Sequence, residues 1–359
     1  MTLQKKPRLA LAALILSHAL VLLAGFFAPY DFASQNRLLS FAPPTRIHIV
    51  DARGKLHIRP FVYPWKAVTG TVTNYDEDQS VAYPVRFLVS GVQYKVFGIL
   101  ASRVHLFGTE EPARIFLIGS DAYGRDQFSR LLYGGQISLF AGLLATAISL
   151  SLGMLIGAVA GYYGGWVDDA LMRGAEVFLA LPWLYLLFAV RAFLPLHVAP
   201  NQVFMLLIAV IGVLGWARPA RLIRGVVLSA KEREYVLAAR GFGASNVYIL
   251  RRHILHQISG VALTQAAVFI PRYVLAEVAL SFVGLGVTEP APSWGNLLAA
   301  LDQYQVLESY WWMLLPALTL IPVFLGYYSL LGYYAVQHTL PSRDQWEGLK
   351  FVSYGQPRG

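Results

Sequence analysis

The stretch EYVLAARGFGASNVYILRRHILHQ, Glu234–Gln257, decides how this chain is read. It is charged and helix-prone, yet it is wedged between two long apolar stretches. Ala238, Ala239 and Gly243 stand in A-A-x-x-x-G spacing, with Arg240 and Ala244 beside them, and Ile249 and Ile254-Leu255 follow. Small residues let another surface approach a helix closely, and Gly243 is suited to end one helix and let a second begin. The spacing predicts a helix-turn-helix at a membrane surface, shaped to be gripped by a partner. The plainer alternative is an ordinary basic loop that obeys the positive-inside bias.

Composition supports the membrane setting. The chain has 359 residues, of which 56% are hydrophobic and 14% charged, against about 25% charged in an average soluble domain. Mean hydropathy is +0.52. The net charge of +9 raises a nucleic-acid reading. However, Arg218, Arg221, Arg224, Lys231, Arg233, Arg240, Arg251 and Arg252 all fall between two apolar segments, where membrane orientation explains them better. No cysteine is present, which excludes disulfides, thiolate metal clusters and a thiol nucleophile.

Apolar segments at 9–28, 137–160, 174–194, 202–217, 259–283 and 311–335 are candidates to cross a hydrocarbon core of about 30 Å. The first resembles a signal peptide behind Lys5, Lys6 and Arg8, but it is long enough to span and no clear cleavage site follows. Pro219 lies where the fourth segment is expected to stop. The loop over 218–257 is rich in Lys and Arg, whereas 195–201 and 284–310 have none. Both termini and the basic loop are therefore expected on the cytoplasmic side.

The long segment 29–118 then lies outside. Arg46–Val50 and Lys55–Val62 flank Asp51-Ala52-Arg53-Gly54, a hairpin pattern, and Val85–Val89 and Val92–Ile99 flank Ser90-Gly91, a second one. Next comes GSDAYGRDQFSRLLYGGQISL, Gly119–Leu139. Here Ser120 or Asp121 is positioned to cap a short interfacial helix, with Phe128, Leu131 and Leu132 opposite Arg125, Asp126 and Arg130. The fold class expected is an all-α polytopic membrane protein. It has six transmembrane helices and a small β-rich extracytoplasmic insertion between the first two. The organisation is 1–28, 29–118, a core over 119–341 and a cytoplasmic tail over 342–359.

Chemistry is sparse. There is no G-x-x-x-x-G-K-[ST] string, so the chain has no P-loop of its own. The eight histidines are scattered, and His253 with His256 is a weak pair for a metal. Arg272 and Glu277 are charges inside the fifth apolar segment, and such charges mark functional positions by default. Their i, i+5 spacing puts them on different faces. Arg272 is either a pathway charge for an anionic cargo group or a cation paired elsewhere. Gly153, Gly157 and Gly161 form a small-residue face. Packing within the subunit and packing against another remain equal alternatives.

The Glu234–Gln257 stretch resembles the EAA loop of bacterial ABC-importer permeases of the dipeptide/oligopeptide/nickel group, E-A-A-x-x-x-G with a later I-x-L-P. Leu237 stands at the usual Glu and His256 at the usual Pro. Gly119–Leu139 resembles that group's G-T-D-x-x-G-R-D-x-x-S-R-L-x-Y-G signature, and Ser281–Val287 and Pro292–Leu298 resemble its later strings. The resemblance covers about 119–341. It implies an inner-membrane translocation subunit, not itself an enzyme, with no cofactor on this chain. Partners implied are a second homologous permease, two cytoplasmic ATPases carrying ATP and Mg, an extracytoplasmic solute-binding protein and membrane lipid, with no nucleic acid. Peptides are the expected cargo. Ala238, Ala239, Arg240, Gly243 and Ala244 are the expected ATPase-coupling residues. Ala276-Glu277 is usual for the group, while Arg272 stands where a small residue is usual. Rival readings are an ion-driven carrier using Arg272 and Glu277, and a non-transporting membrane anchor.

Overall fold

The structure, a computed structural model, describes residues 6–68, 74–96, 99–193 and 200–339. The chain starts with helices α1 (Lys6–Leu22) and α2 (Ala24–Phe27). Strands β1 (His48–Val50), β2 (Leu56–Val62), β3 (Trp65–Ala67), β4 (Tyr75–Glu77), β5 (Tyr83–Pro84), β6 (Arg86–Val96) and β7 (Leu100–Gly108) follow. Then come α3 (Gln127–Tyr163), α4 (Gly165–Ala180), α5 (Trp183–Ala192), α6 (Pro200–Leu214) and α7 (Ala217–Lys231). Two short helices, α8 (Glu234–Gly241) and α9 (Asn246–Ile249), lead through a π-helical turn, Leu250–Ile254, into α10 (Leu255–Phe282). Helices α11 (Trp294–Ala299), α12 (Tyr304–Ser309) and α13 (Leu315–Thr339) complete the described chain.

The fold is mostly helical. Among the described residues three helical runs, Gln127–Tyr163, Asn246–Phe282 and Trp311–Leu330, are long and apolar enough to cross a membrane. The number rises to five if each of two bent pairs counts as one span. Six straight spans are thus not what forms. The segment expected at 174–194, whose last residue lies outside the described residues, is interrupted at Leu181-Pro182, and α4 and α5 meet there at 90°. Pro182 lacks an N–H and disfavours helix at the residue before it. The segment expected at 202–217 breaks after Leu214, where α6 and α7 bend by 41°. Pro219 does not stop a helix. It sits in the first turn of α7, where a missing N–H removes no helical bond. Residues 218–231, expected as loop, are helix, and the connection proper starts near Glu232.

Helix α3 is the central post, and α1, α4, α6, α7 and α10 all pack on it. Its glycine face is used inside the subunit. A Cβ at Gly153 would meet Pro219 at 2.7 Å, one at Gly157 would overlap the Ala220 carbonyl oxygen, and one at Gly161 would meet the Arg224 carbonyl oxygen at 2.9 Å. Helix α7 presses its buried face, Ala220, Ile223, Val227 and Ala230, into that groove. This decides the alternative the sequence left open. Arg224 then ties α7 to α4 through two hydrogen bonds of 2.5 Å to Asp168.

The strands form a three-stranded sheet in the order β1-β2-β5 and two antiparallel pairs, β3-β4 and β6-β7. The turn expected at Asp51–Gly54 is present, with Asp51 Oδ1 accepting from the N–H groups of Arg53 and Lys55. The turn expected at Ser90-Gly91 is not. Those residues lie inside the single strand β6, at a register irregularity opposite β7. Gly91 is there for close approach, since a Cβ would meet the His105 ring at 2.7 Å. His105 in turn hydrogen-bonds to the Ala28 carbonyl through Nδ1 (2.7 Å), which docks the β6-β7 ribbon on α2.

No separate interfacial helix precedes the second apolar segment. Neither Ser120 nor Asp121 is a helix cap. Asp126 caps α3 directly, accepting from Ser129 N (2.8 Å), and α3 runs unbroken from Gln127. Arg125, Asp126 and Arg130, expected on a polar face, are buried.

Candidate functional site

Two places gather the residues the sequence singled out. The first is the helix pair α8–α9. Helix α8 ends in a reversal at Gly243, whose φ is +81°. Gly243 N donates to the Arg240 carbonyl and Ala244 N to the Ala239 carbonyl, both at 3.0 Å. Ser245 then caps α9 by accepting from Tyr248 N (3.3 Å). Only glycine takes this backbone without strain. A Cβ added at Gly243 would meet nothing within 4 Å.

The pair is rooted on one side only. Val236 and Ile249 are fully buried in a cluster with Tyr162 of α3, Ile223, Val227 and Ala230 of α7, and Ile254 and Ile258. Tyr162 donates to Asn246 Oδ1 (2.8 Å), and the Arg240 guanidinium lies 5.8 Å from the Tyr162 ring centroid. The other side is open. Ala238 is exposed, Ala239 and Ala244 are half-covered, and Leu237, Val247 and Tyr248 are exposed around them. Phe242 is 92% exposed. Ala238, Ala239, Gly243 and Ala244 are thus brought together at one turn, whereas Arg240, itself exposed, lies over the Tyr162 ring. Phe242 and Val247 went unremarked in the sequence, although an apolar Phe inside a charged loop is itself a signal. His253 sits between the rings of Tyr235 and Tyr248, with centroids 5.6 and 5.9 Å away. No group of metal-ligating side chains occurs among the described residues.

The second place surrounds Arg272. Its guanidinium lies 5.0 Å from the Trp183 ring centroid. It lines a cavity of about 690 Å³ with Arg218, Arg221 and Gln265. Glu277 is not part of it. It is fully buried further along α10, and its Oε1 accepts from Ser281 Oγ (2.7 Å), which itself accepts from Val287 N (3.1 Å). No ion pair joins Arg272 to Glu277 among the described residues.

A third cluster was missed as a unit. Arg125 donates to Asp121 through Nε (2.7 Å) and to Glu289 through Nη1 (2.5 Å) and Nη2 (3.2 Å). Arg130 reaches the same Glu289 through Nη2 (2.7 Å). Glu289 lies in the connection between α10 and α11, so the cluster knots that connection to the start of α3. Burial opposes the Arg125 charge, yet the hydrogen bond to Glu289 and the charge of Asp121 hold its pKa above the ordinary value. Burial pushes the Asp126 carboxyl up to about 6.

The chain is helical, has runs long and apolar enough to cross a membrane, and has no P-loop string. Residues 153–335 match the family described as binding-protein-dependent transport system inner membrane component. A dipeptide transport system permease protein from Bacillus subtilis is 36% identical over 62% of this chain and 67% of its own length. An oligopeptide transport system permease protein from the same organism is 35% identical over 56% of this chain and 64% of its own. One from Haemophilus influenzae is 36% identical over 55% and 62%. An amino acid ABC transporter structure, with histidines, overlaps 58% of this chain and 94% of its own at 16% identity and a TM-score of 0.42. The inward-facing methionine ABC transporter overlaps 55% and 94% at 19% identity and a TM-score of 0.38. The chain belongs to the family of binding-protein-dependent transport system inner membrane components, the permease subunits of ABC importers.

Proposed function

We propose that this chain is one of two membrane-spanning subunits of an ATP-driven importer of di- or oligopeptides, and that α8–α9 seats in a cytoplasmic ATPase. The observation that carries this reading is the helix pair itself, rooted through Val236 and Ile249 and open over Ala238, Ala239, Gly243 and Ala244. The peptide cargo is supported by relatives named as dipeptide and oligopeptide permeases.

In this reading ATP and Mg are held by two partner ATPases, an external binding protein delivers cargo, and a second related permease completes the pathway. Six segments cross the membrane, counting α1 and the two bent pairs, with both termini cytoplasmic and 29–118 outside. ATPase closure moves α8. Because Val236 shares its cluster with Ile223 and Val227, that motion passes to α7 as a rigid body rather than being absorbed. ATP favours one state of the pathway only through such a difference in contacts.

Gly243→Arg tests it. The substitution adds a bulky group to the open turn and strains a φ of +81°, costing roughly 1–2 kcal/mol locally. Purification in mild detergent should recover the wild-type chain with a P-loop ATPase and a second permease, and the variant without the ATPase. A variant that retains the ATPase and imports normally would show that α8–α9 is not the coupling element.

A further inference from the structure

Two helix breaks border one cavity in the helical bundle. Leu181 of the α4–α5 break, Gly215 of the α6–α7 break, and Arg272 and Tyr273, which follow Pro271 in α10, all line a cavity of about 130 Å³. It is lined by Leu181, Trp183, Gly215, Arg218, Arg272 and Tyr273. Non-helical backbone at membrane depth is tolerated where it is enclosed by protein or lines a watery cavity, and broken helices are where transport sites are built.

This cavity shares Arg218 and Arg272 with the larger one of about 690 Å³, which adds Arg221. Among the described residues no aspartate or glutamate lines either cavity. None of the three arginines takes part in an ion pair among the described residues. Arg272 is half-buried and Arg218 and Arg221 are exposed; three like charges around one cavity repel one another, and each raises the affinity for an anion. Arg272 is also pre-organised, because its guanidinium is held on the face of Trp183. The remaining walls are apolar, Leu179, Leu222, Val268 and Phe269, apart from the neutral amide of Gln265. The larger volume lies in the range of small-molecule sites, about 300–1,000 Å³.

We propose that Arg218, Arg221 and Arg272 form a carboxylate-binding subsite in the translocation pathway, which holds the C-terminal carboxylate of the cargo. This rests on the importer reading above and deepens it. The guanidinium fork matches a carboxylate with two parallel hydrogen bonds, which neither an amide nor a neutral solute reproduces. The placement also links cargo to drive. Arg218 and Arg221 sit on α7, whose opposite end packs against Val236 of the helix pair. Movement of α7 by the ATPase therefore moves two of the three cations relative to Arg272 on α10, so the subsite is made in one state and dispersed in the other.

The test uses the assembled importer in phosphatidylcholine nanodiscs without ATP, with tritiated trialanine and its C-terminal amide as probes. The free acid should bind at least tenfold more tightly than the amide, a difference of about 1.4 kcal/mol. Arg272→Gln and Arg218→Gln should each abolish that preference, while Arg53→Gln, in the β1-β2 turn, should leave it intact. Equal affinity for acid and amide, no binding of either, or an unchanged preference in both variants overturns the proposal. The wild-type comparison alone suffices if a variant fails to assemble. In phosphatidylglycerol nanodiscs the preference should persist. Its loss there would mean that a lipid headgroup fills the cavity, and would overturn the cargo assignment. ATP hydrolysis stimulated by the binding protein in the same preparation judges the importer reading separately. A complex that hydrolyses ATP but does not discriminate acid from amide refutes the subsite alone.

Discussion

Replacing Gly157 by alanine adds one methyl group at the tightest point of the α3–α7 contact. The new Cβ would overlap the Ala220 carbonyl oxygen and lie 3.0 Å from Ile223 Cβ and 3.1 Å from the Ala220 carbonyl carbon. Carbon contacts settle at about 3.5–4.0 Å, so the helices must part by roughly 1 Å. Neither neighbour is the free end of a flexible chain, and overpacking of this kind costs about 1–3 kcal/mol. Gly225→Ala is the internal control. Gly225 lies on α7, but a Cβ there meets nothing within 4 Å, so the change should be neutral or stabilise the helix by up to about 1 kcal/mol. The two variants should differ by about 2–3 kcal/mol, which corresponds to a thermal midpoint about 4–6 °C lower for Gly157→Ala. Scanning fluorimetry of the detergent-purified complex reads the difference. Parting α3 from α7 also loosens the root of α8, so ATP hydrolysed per cargo imported should rise. Equal midpoints for the two alanine variants would refute the packing account.

The remaining predictions concern the outer end of the bundle. Glu289→Gln leaves Arg125 and Arg130, both nearly inaccessible, without their shared carboxylate. Glu289 is half-exposed, so the loss should be about 1–3 kcal/mol rather than that of a fully buried pair; an unchanged thermal midpoint would show that the knot carries no weight. Asp126 binds its proton more tightly in the folded state, where its pKa is about 6, than in the unfolded chain, where about 3.9 is usual. Its contribution is therefore fully favourable below about pH 4 and is lost as pH rises to about 6, a fall of roughly 3 kcal/mol. Asp126→Asn keeps an acceptor for Ser129 N and should remove that slope from the pH–stability curve. Parallel curves for wild type and variant would contradict the assignment.

Much of this is legible in the sequence. The helix-turn-helix could be read because a glycine with a left-handed backbone, small neighbours and flanking apolar anchors are all local features. The first β hairpin could be read for the same reason, since Asp51 organises its own turn. What failed depended on distant residues. Gly91 looked like a turn residue, but it is small to make room for His105, fourteen positions on in a strand whose register the sequence does not show. Arg125 and Arg130 looked like the wet face of a surface helix, because their counter-ion, Glu289, is far along the chain. The helix breaks at Pro182 and Gly215 were hidden inside continuous apolar runs, where hydropathy is insensitive to backbone direction. Arg272 was marked as anomalous from its neighbours in sequence, but its companions Arg218 and Arg221 were assigned to a loop rather than to α7.

The account stands most directly on what touches Phe242. It is the most exposed large apolar side chain of the helix pair, at 92%. A photo-crosslinking benzophenone amino acid at position 242, activated in inner-membrane vesicles and followed by mass spectrometry, identifies the neighbour. The account predicts a product with a P-loop ATPase subunit whose yield changes when ATP is added. A product with an extracytoplasmic protein, or none with an ATPase, would contradict it.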